Sequence, residues 1–228
     1  MYQILLVEDD PDIATISQTY LQHAGYGTSL AGSVQQAKQL IDEQEFDLML
    51  LDMMLPDGDG QQLCSYIRSK SNCPVIFITC IDEENTMVSA FECGADDYVV
   101  KPVHYDALLA RIKAHLRREE GLRARGPETT SILKFKKFAL DTVRRQLIVA
   151  GEVMELSTIE YALLYFMVKN PNALLLYDEL YNHVWVNDSL GDTRTVMVHI
   201  SNLRKKVDPG KRGIIQTVRG AGYVFNDV

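Results

Sequence analysis

The stretch Asp47-Leu48-Met49-Leu50-Leu51-Asp52-Met53-Met54-Leu55-Pro56-Asp57-Gly58-Asp59-Gly60 runs four apolar residues straight into an aspartate. It reads as a buried strand over Asp47–Leu51 with the carboxylate of Asp52 at its carboxyl end. The same pattern recurs at Gln3–Val7, Thr28–Ala31, Pro74–Ile78 and Asp97–Val100, and helical spacing lies between, as in Ile13, Ile16, Tyr20, Leu21 and in Leu108, Ile112, Leu116. Strand then helix, five times over, predicts an α/β fold: a five-stranded parallel (βα)5 sheet covered on both faces. Such sheets carry ligand sites at the carboxyl ends of their strands.

Those ends carry chemistry. Glu8-Asp9-Asp10 closes the first strand, Asp52 the third, Thr79 the fourth and Lys101-Pro102 the fifth. Carboxylates at strand ends are common as solvated surface acids. A convergent set of them, however, repels unless a cation sits among them, and an all-oxygen set suits Mg²⁺. A carboxylate nucleophile, a divalent cation, a hydroxyl and an ammonium are also what an aspartyl phosphate needs.

The composition is that of ordinary globular protein, with 46% hydrophobic and 24% charged residues in 228. The longest apolar run, Tyr161 to Val168, is far below the roughly 18 residues of a membrane span. Ile4-Leu5-Leu6-Val7 lacks the preceding basic residues and the length of a secretory signal, so a cytoplasmic protein with no membrane partner is expected. Cys64, Cys73, Cys80 and Cys93 form no CxxC pair and read as reduced structural thiols. The net charge of −8 divides into −12 over residues 1–120 and +4 over residues 121–228. An acidic half suited to cations is joined to a basic half suited to nucleic acid, although two domains with unremarkable surfaces would give the same balance.

Between the halves, residues 119–130 are charged and then Gly/Pro/Thr-bearing, and read as a linker. Beyond it lie short strands at Ile132–Phe135, Phe138–Leu140 and Gln146–Val149 with a turn at Ala150-Gly151-Glu152, and helical patterns at Thr158–Lys169, Tyr177–Val184 and Arg194–Val207. A glycine-punctuated hairpin, Ile214–Val218 to Tyr223–Phe225, follows, so residues 131–228 read as an α+β domain. In the last helix Val196, Ile200, Leu203 and Val207 share one face, while Arg194, Val198, Ser201, Asn202 and Lys205 lie opposite. Basic groups for phosphates, an Asn for adenine and a Val for a thymine methyl would make a major-groove surface. A solvated amphipathic helix would look the same. In the hairpin, Arg219 beside Gly220 and Gly222 suits a minor groove.

Glu8-Asp9, Asp52 through Gly60, Thr79, Gly94-Ala95-Asp96-Asp97-Tyr98 and Lys101-Pro102 resemble the receiver domain of bacterial two-component response regulators over residues 1–118. Residues 131–228, with Leu156-Ser157-Thr158-Ile159-Glu160, the last helix and the hairpin, resemble the winged helix-turn-helix effector of the OmpR/PhoB subfamily. The resemblance implies phosphoryl transfer from a sensor histidine kinase to Asp52, with Mg²⁺ served by Glu8, Asp9, Asp52 and the backbone carbonyl of Met54. Thr79 and Lys101 would hold the phosphoryl oxygens, Thr79 and Tyr98 would form the switch, and Lys101–Pro102 would be cis. Self-dephosphorylation would be slow, retarded by Met54 and Ile81. The resemblance also implies a homodimer on phosphorylation, through Val88, Phe91, Asp96, Asp97, Leu109, Arg111, Lys113 and Arg118, although Met87 and Ala107 stand where ionic partners are common.

On the DNA side, Arg194–Lys206 would be the recognition helix, contributing Arg194, Thr195, Val198, His199, Ser201, Asn202, Arg204 and Lys205, with Arg219 on the wing. His199 and Trp185 by themselves suit packing or local hydrogen bonding. Paired effector domains would bind tandem half-sites of double-stranded DNA, and the resemblance admits RNA polymerase as a further partner. A phosphohydrolase fits less well, because Met54 stands where haloacid-dehalogenase phosphatases place a second Asp. A passive receiver that only dimerises remains the other reading.

Overall fold

The computed structural model describes residues 1–80, 90–124, 132–185, 193–208 and 213–226, side chains at 118–124, 193 and 194 excepted. The chain divides into two compact units, Met1–Glu119 and Glu120–Val228.

In the first unit, β1 (Gln3–Val7), β2 (Gly27–Ala31), β3 (Leu48–Asp52), β6 (Val75–Thr79) and β7 (Asp97–Val100) form one parallel sheet in the order β2-β1-β3-β6-β7. The central strands β1, β3 and β6 are nearly continuous apolar runs because both faces are covered. On one face Ile4, Leu6, Leu48, Leu50, Ile76 and Ile78 pack with Leu108, Ile112 and Leu116 of α4 (Tyr105–Ala124). Helices α1 (Pro11–His23), α2 (Val34–Glu43) and α3 (Gly60–Arg68) complete the alternation.

The acids beyond Asp52 set helix starts. Asp10 caps α1 by accepting from the N–H groups of Asp12 and Ile13. Asp57 accepts from Val34 and Gln35 at the start of α2, and those two bonds hold its carboxyl below the ordinary range. Asp59 caps α3. Each satisfies backbone donors that a helix start leaves open. A two-residue hairpin, β4 (Met54–Leu55) with β5 (Gly58–Asp59), returns the chain to α3. A Cβ on Gly60 would stand 2.4 Å from the carbonyl oxygen of Asp52, so glycine permits this close return.

In the second unit, β8 (Ile132–Lys134), β9 (Phe138–Asp141), β10 (Gln146–Val149) and β11 (Glu152–Glu155) form an antiparallel sheet. Three helices follow, α5 (Thr158–Lys169), α6 (Tyr177–Trp185) and α7 (Thr193–Val207), with α7 packed on both others. The hairpin β13 (Ile215–Val218) and β14 (Gly222–Phe225) gains a third strand, β12 (Leu174–Leu176). Ser157 and Glu160 form a capping box at α5: the Glu160 N–H donates to Ser157 Oγ, and the Ser157 N–H to Glu160 Oε2. Lys206 of α7 also donates to Glu160 Oε2, at 2.6 Å, tying the last helix to the first.

Several expectations shift. β2, β3 and β6 each sit one residue from the predicted bounds, and β4, β5, β11 and β12 are additional strands. Helix α4 continues through Ala124, into the stretch expected as a linker over residues 119–130. Arg, Glu, Leu and Ala are good helix formers, and no proline intervenes before Pro127. Ile16 and Tyr20 do not face the core: they are 48% and 46% exposed, while α1 buries Ala14, Ser17 and Leu21. Tyr20 instead stacks on Tyr105, with ring centroids 4.3 Å apart.

Gly222 lies between β12 and β13, where a Cβ would stand 2.0 Å from the carbonyl oxygen of Leu175. Backbone on both sides leaves nothing flexible to yield. Gly222→Ala should therefore cost the second unit about 3 kcal/mol or more, lowering its unfolding transition in denaturant while that of the first unit stays in place.

Candidate functional site

The strand registers bring four strand ends to one edge. Val7 pairs with Leu51, Asp52 with Ile78, and Thr79 with Val100, so Glu8, Asp52, Thr79 and Lys101 end neighbouring strands at nearly one level. Carboxylate oxygens of Glu8, Asp9 and Asp52 lie within 4.8 Å of one another. Glu8 and Asp52 are buried and Asp9 is exposed. Lys101 Nζ donates to Glu8 Oε2 at 2.7 Å and to Asp52 Oδ2 at 2.6 Å, and the Met54 N–H donates to Asp52 Oδ1 at 3.0 Å. Thr79 is fully buried, and its carbonyl accepts from the Lys101 N–H. Lys101–Pro102 is cis.

The electrostatics follow from burial and proximity. Burial pushes the Glu8 carboxyl up, Asp52 adds to that, and the Lys101 hydrogen bond and charge oppose it without cancelling it. Burial works to lower the Lys101 ammonium, but hydrogen bonds to Asp52 and Glu8 outweigh it and hold the lysine above its ordinary value. Three carboxylates facing one ammonium form an oxygen-donor set suited to a hard divalent cation. Asp10, spent on its helix cap, is not in this cluster.

Of the residues expected on a dimer face, several are committed inside the unit. Asp96 is fully buried and accepts from Arg68 at 2.6 Å and from the Val75 N–H at 2.9 Å. Asp97 is buried against Arg111, at 2.9 and 3.0 Å, and His115, at 3.3 Å. Phe91 is core. Within the single chain Asp96, Asp97, Arg111 and Phe91 thus take part in internal packing and ion pairs, while Lys113 is exposed and Leu109 half-buried. Tyr98 is buried as well. Ile81, Met87, Val88 and the side chain of Arg118 lie outside the described residues.

Helix α7 also departs from its predicted two faces. Val196, Ile200, Leu203 and Val207 are buried as expected, but so are Thr195, His199 and Asn202. These three form an i, i+4, i+7 row, and His199 meets the ring of Trp185 at the end of α6, with centroids 5.6 Å apart. A second helix packed on its flank widens the buried arc, which a single helix's periodicity does not reveal. Arg204 is committed to the wing, donating to the Ile215 carbonyl at 2.9 and 2.7 Å and to Thr217 Oγ1 at 2.8 Å. Of the residues expected to touch DNA, Thr195, His199 and Asn202 are thus buried and Arg204 is bonded to the wing. The exposed stripe is Met197, Ser201 and Lys205, with Val198 half-buried beside it and the Arg194 side chain outside the described residues. Sequence reasoning missed Met197, although its i, i+4, i+8 spacing with Ser201 and Lys205 was there to be read. Arg219 is exposed in the turn between β13 and β14, beside Gly220 at φ +74°.

Residues 4–113 match the family described as response regulator receiver domain, and residues 151–225 match transcriptional regulatory protein, C terminal. The chain is a response regulator of the OmpR/PhoB type. It is 35% identical over 226 residues, 99% of each chain, to the uncharacterized transcriptional regulatory protein YclJ of Bacillus subtilis (strain 168). It is 34% identical to the transcriptional regulatory protein SrrA of Staphylococcus aureus (strain NCTC 8325 / PS 47), covering 98% of this chain and 95% of that one. Among solved structures it is similar to the response regulator DrrB, a Thermotoga maritima OmpR/PhoB homolog, at 29% identity and a TM-score of 0.52 over 99% of both chains. A receiver joined to a DNA-binding domain makes this response regulator a two-component transcriptional regulator. Among the described residues, no helix is long and apolar enough to cross a membrane.

Asp97 gives this receiver an acid limit. Burial opposes its ionisation, but the His115 hydrogen bond, the Arg111 and His115 charges and the Tyr98 N–H outweigh burial and hold it at about 2, against 3.8 unfolded. A depressed carboxylate stabilises above its unfolded value and loses that stabilisation as pH falls through its folded value. Receiver stability should therefore decline by about 2 kcal/mol from pH 4 to below pH 2, and Asp97→Asn should flatten that segment of the stability curve measured by denaturant unfolding.

Proposed function

We propose that this response regulator is switched by phosphorylation of Asp52 and, once phosphorylated, pairs through its receivers to bind tandem DNA half-sites. The observation that carries the reading is the pocket in which Lys101 bridges Glu8 and Asp52 while Asp9 lies within 4.8 Å of both. Asp52 Oδ attacks the phosphorus of a kinase phosphohistidine, the P–N bond breaks, and an acyl phosphate forms. Glu8, Asp9, Asp52 and the Met54 carbonyl would hold Mg²⁺, which neutralises phosphoryl charge when bound. Lys101 Nζ, already aimed at Asp52, donates to a phosphoryl oxygen. Its bond to Asp52 Oδ2 must then be exchanged, which gives the charge change a direct mechanical outlet at the end of β7.

The Thr79 hydroxyl supplies a second donor, and Tyr98, two strand positions before Val100 on β7, completes the switch. Such an event biases a two-state element rather than building a new site. Of the expected pairing face, Leu109 and Lys113 lie at or near the surface, and the Arg111–Asp97 pair stands beside them. In the effector domain, Met197, Ser201 and Lys205 face the major groove with Val198, and Arg219 enters the minor groove from the wing. Two linked effector domains then bind together with an affinity neither has alone.

Incubation with a small phosphodonor and Mg²⁺ tests the switch. The wild-type chain should gain a base-labile phosphoryl group, sediment as a dimer and bind tandem sites more tightly, whereas Asp52→Ala should do none of these. Labelled chain that stays monomeric at high concentration, or unlabelled chain with unchanged DNA binding, would leave a passive receiver as the better account.

Lys205 separates backbone from base contacts. Lys205→Ala should weaken binding to specific and random DNA alike, and should reduce the slope of log K against log salt by about 1, read from titrations at several ionic strengths.

A further inference from the structure

Two thiols meet outside the acidic pocket. Cys64 is fully buried on α3, and its Sγ donates to the carbonyl of Cys93 at 3.4 Å. Cys93 is half-buried, follows the helical residues 90–92, and donates through Sγ to the Ala90 carbonyl at 2.9 Å. Both thiols are thus aimed at the backbone of the same segment, residues 90–93. One turn further along α3, Arg68 Nε donates to the Gly94 carbonyl at 2.8 Å and Nη1 to the Cys73 carbonyl at 2.7 Å. Successive residues of the segment entering β7 are thus held against successive turns of one helix, which brings the Cys64 sulfur to the backbone of Cys93 itself. Cys73 is buried elsewhere and Cys80 is exposed.

We propose that Cys64 and Cys93 form an intramolecular disulfide when the protein meets a hydroperoxide, stapling α3 to the segment that leads into β7.

The two thiols differ in the way the chemistry needs. The neighbouring Cys64 side chain, the Ala95 N–H and the Arg68 charge draw the Cys93 thiol down against the opposing effect of burial. The neighbouring Cys93 side chain and burial push Cys64 well up. Cys93, half-exposed and the more readily ionised, reaches the oxidant first. Its thiolate attacks one peroxide oxygen, the O–O bond breaks, and the departing hydroxide takes a proton to become water, leaving a sulfenic acid. Cys64 Sγ then attacks the Cys93 sulfur, the S–O bond breaks, and the Cys64 proton leaves with the hydroxyl as a second water. Two thiols are oxidised and one hydroperoxide is reduced. The ring so closed spans residues 64–93 and contains β6 with Thr79. Cross-linking a loop of this size restricts the unfolded chain and stabilises the folded receiver.

The test uses the full chain carrying Cys80→Ser, which removes the exposed thiol. After hydrogen peroxide, free thiols are alkylated under denaturing conditions and the chain is digested without reductant. The expected result is a peptide linking Cys64 to Cys93, loss of two alkylation sites, their return with dithiothreitol, and a receiver unfolding midpoint that rises on oxidation. In the same background, Cys64→Ala should leave Cys93 as a sulfenic acid that dimedone traps. Full alkylation of Cys64 and Cys93 after peroxide, Cys93 carried to a sulfinic acid with no link, or a link only between separate chains would each overturn the proposal. The Cys80→Ser chain alone decides it should Cys64→Ala fail to fold.

Discussion

The ammonium of Lys101, held between Glu8 and Asp52, is the interaction on which the receiver's chemistry depends. Carboxylates within 4.8 Å of one another repel by about 3 kcal/mol per pair at an effective dielectric of about 20. Two of the three acids are buried, so water offers little relief. Lys101 supplies one positive charge against up to three negative ones, and an ionised pocket therefore keeps an excess that favours a divalent cation. The register places it there: β7 is the edge strand beside β6, and its first residue past the pairing with Thr79 is the lysine. A shift of one residue in that pairing would turn the ammonium to the other face of the sheet.

Elsewhere in the same unit, charge is arranged to be silent. Arg68 with Asp96, and Arg111 and His115 with Asp97, are buried pairs whose hydrogen bonds largely complete one another. Breaking either would leave an uncompensated buried charge, at a cost of about 3–5 kcal/mol. Such pairs add little net stability over apolar packing, but they fix how α3 and α4 sit against β7. The acidic balance of the first half is thus split between acids that cap helices, acids locked in pairs, and the few at the strand ends that have an imbalance left to use.

This division marks what could be read from the sequence. The five strands, Thr158–Lys169 as a helix, and the meeting of Glu8, Asp52, Thr79 and Lys101 were legible, because the central buried strands leave apolar runs whose ends can be read to within a residue. Asp96, Asp97 and Arg111 were legible as charged residues but not as mutual partners, since the pairing crosses from strand to helix and no local spacing encodes it. Asn202 was misplaced for a similar reason: helical periodicity gives one buried face, and the flank covered by α6 depends on the neighbouring helix. Ile16 and Tyr20 erred in the opposite direction, apolar by type yet outside the core, with Tyr20 covered only by a ring from α4.

The effector domain turns the misplaced residues into an argument about precision. Arg204, which by type and helix position resembles a phosphate contact, instead grips the Ile215 carbonyl and Thr217 and lies over the Tyr223 ring, its Cζ 5.2 Å from the centroid. Lys206, its neighbour but one, ties the same helix to the capping box of α5. Two of the cations in the last turns of α7 therefore hold that helix in place, Arg204 against the wing and Lys206 against α5. Lys205 and Arg219 are left exposed beside that frame. Part of the basic surplus of this half is thus spent on holding helix and wing, which a count of positive charges does not reveal.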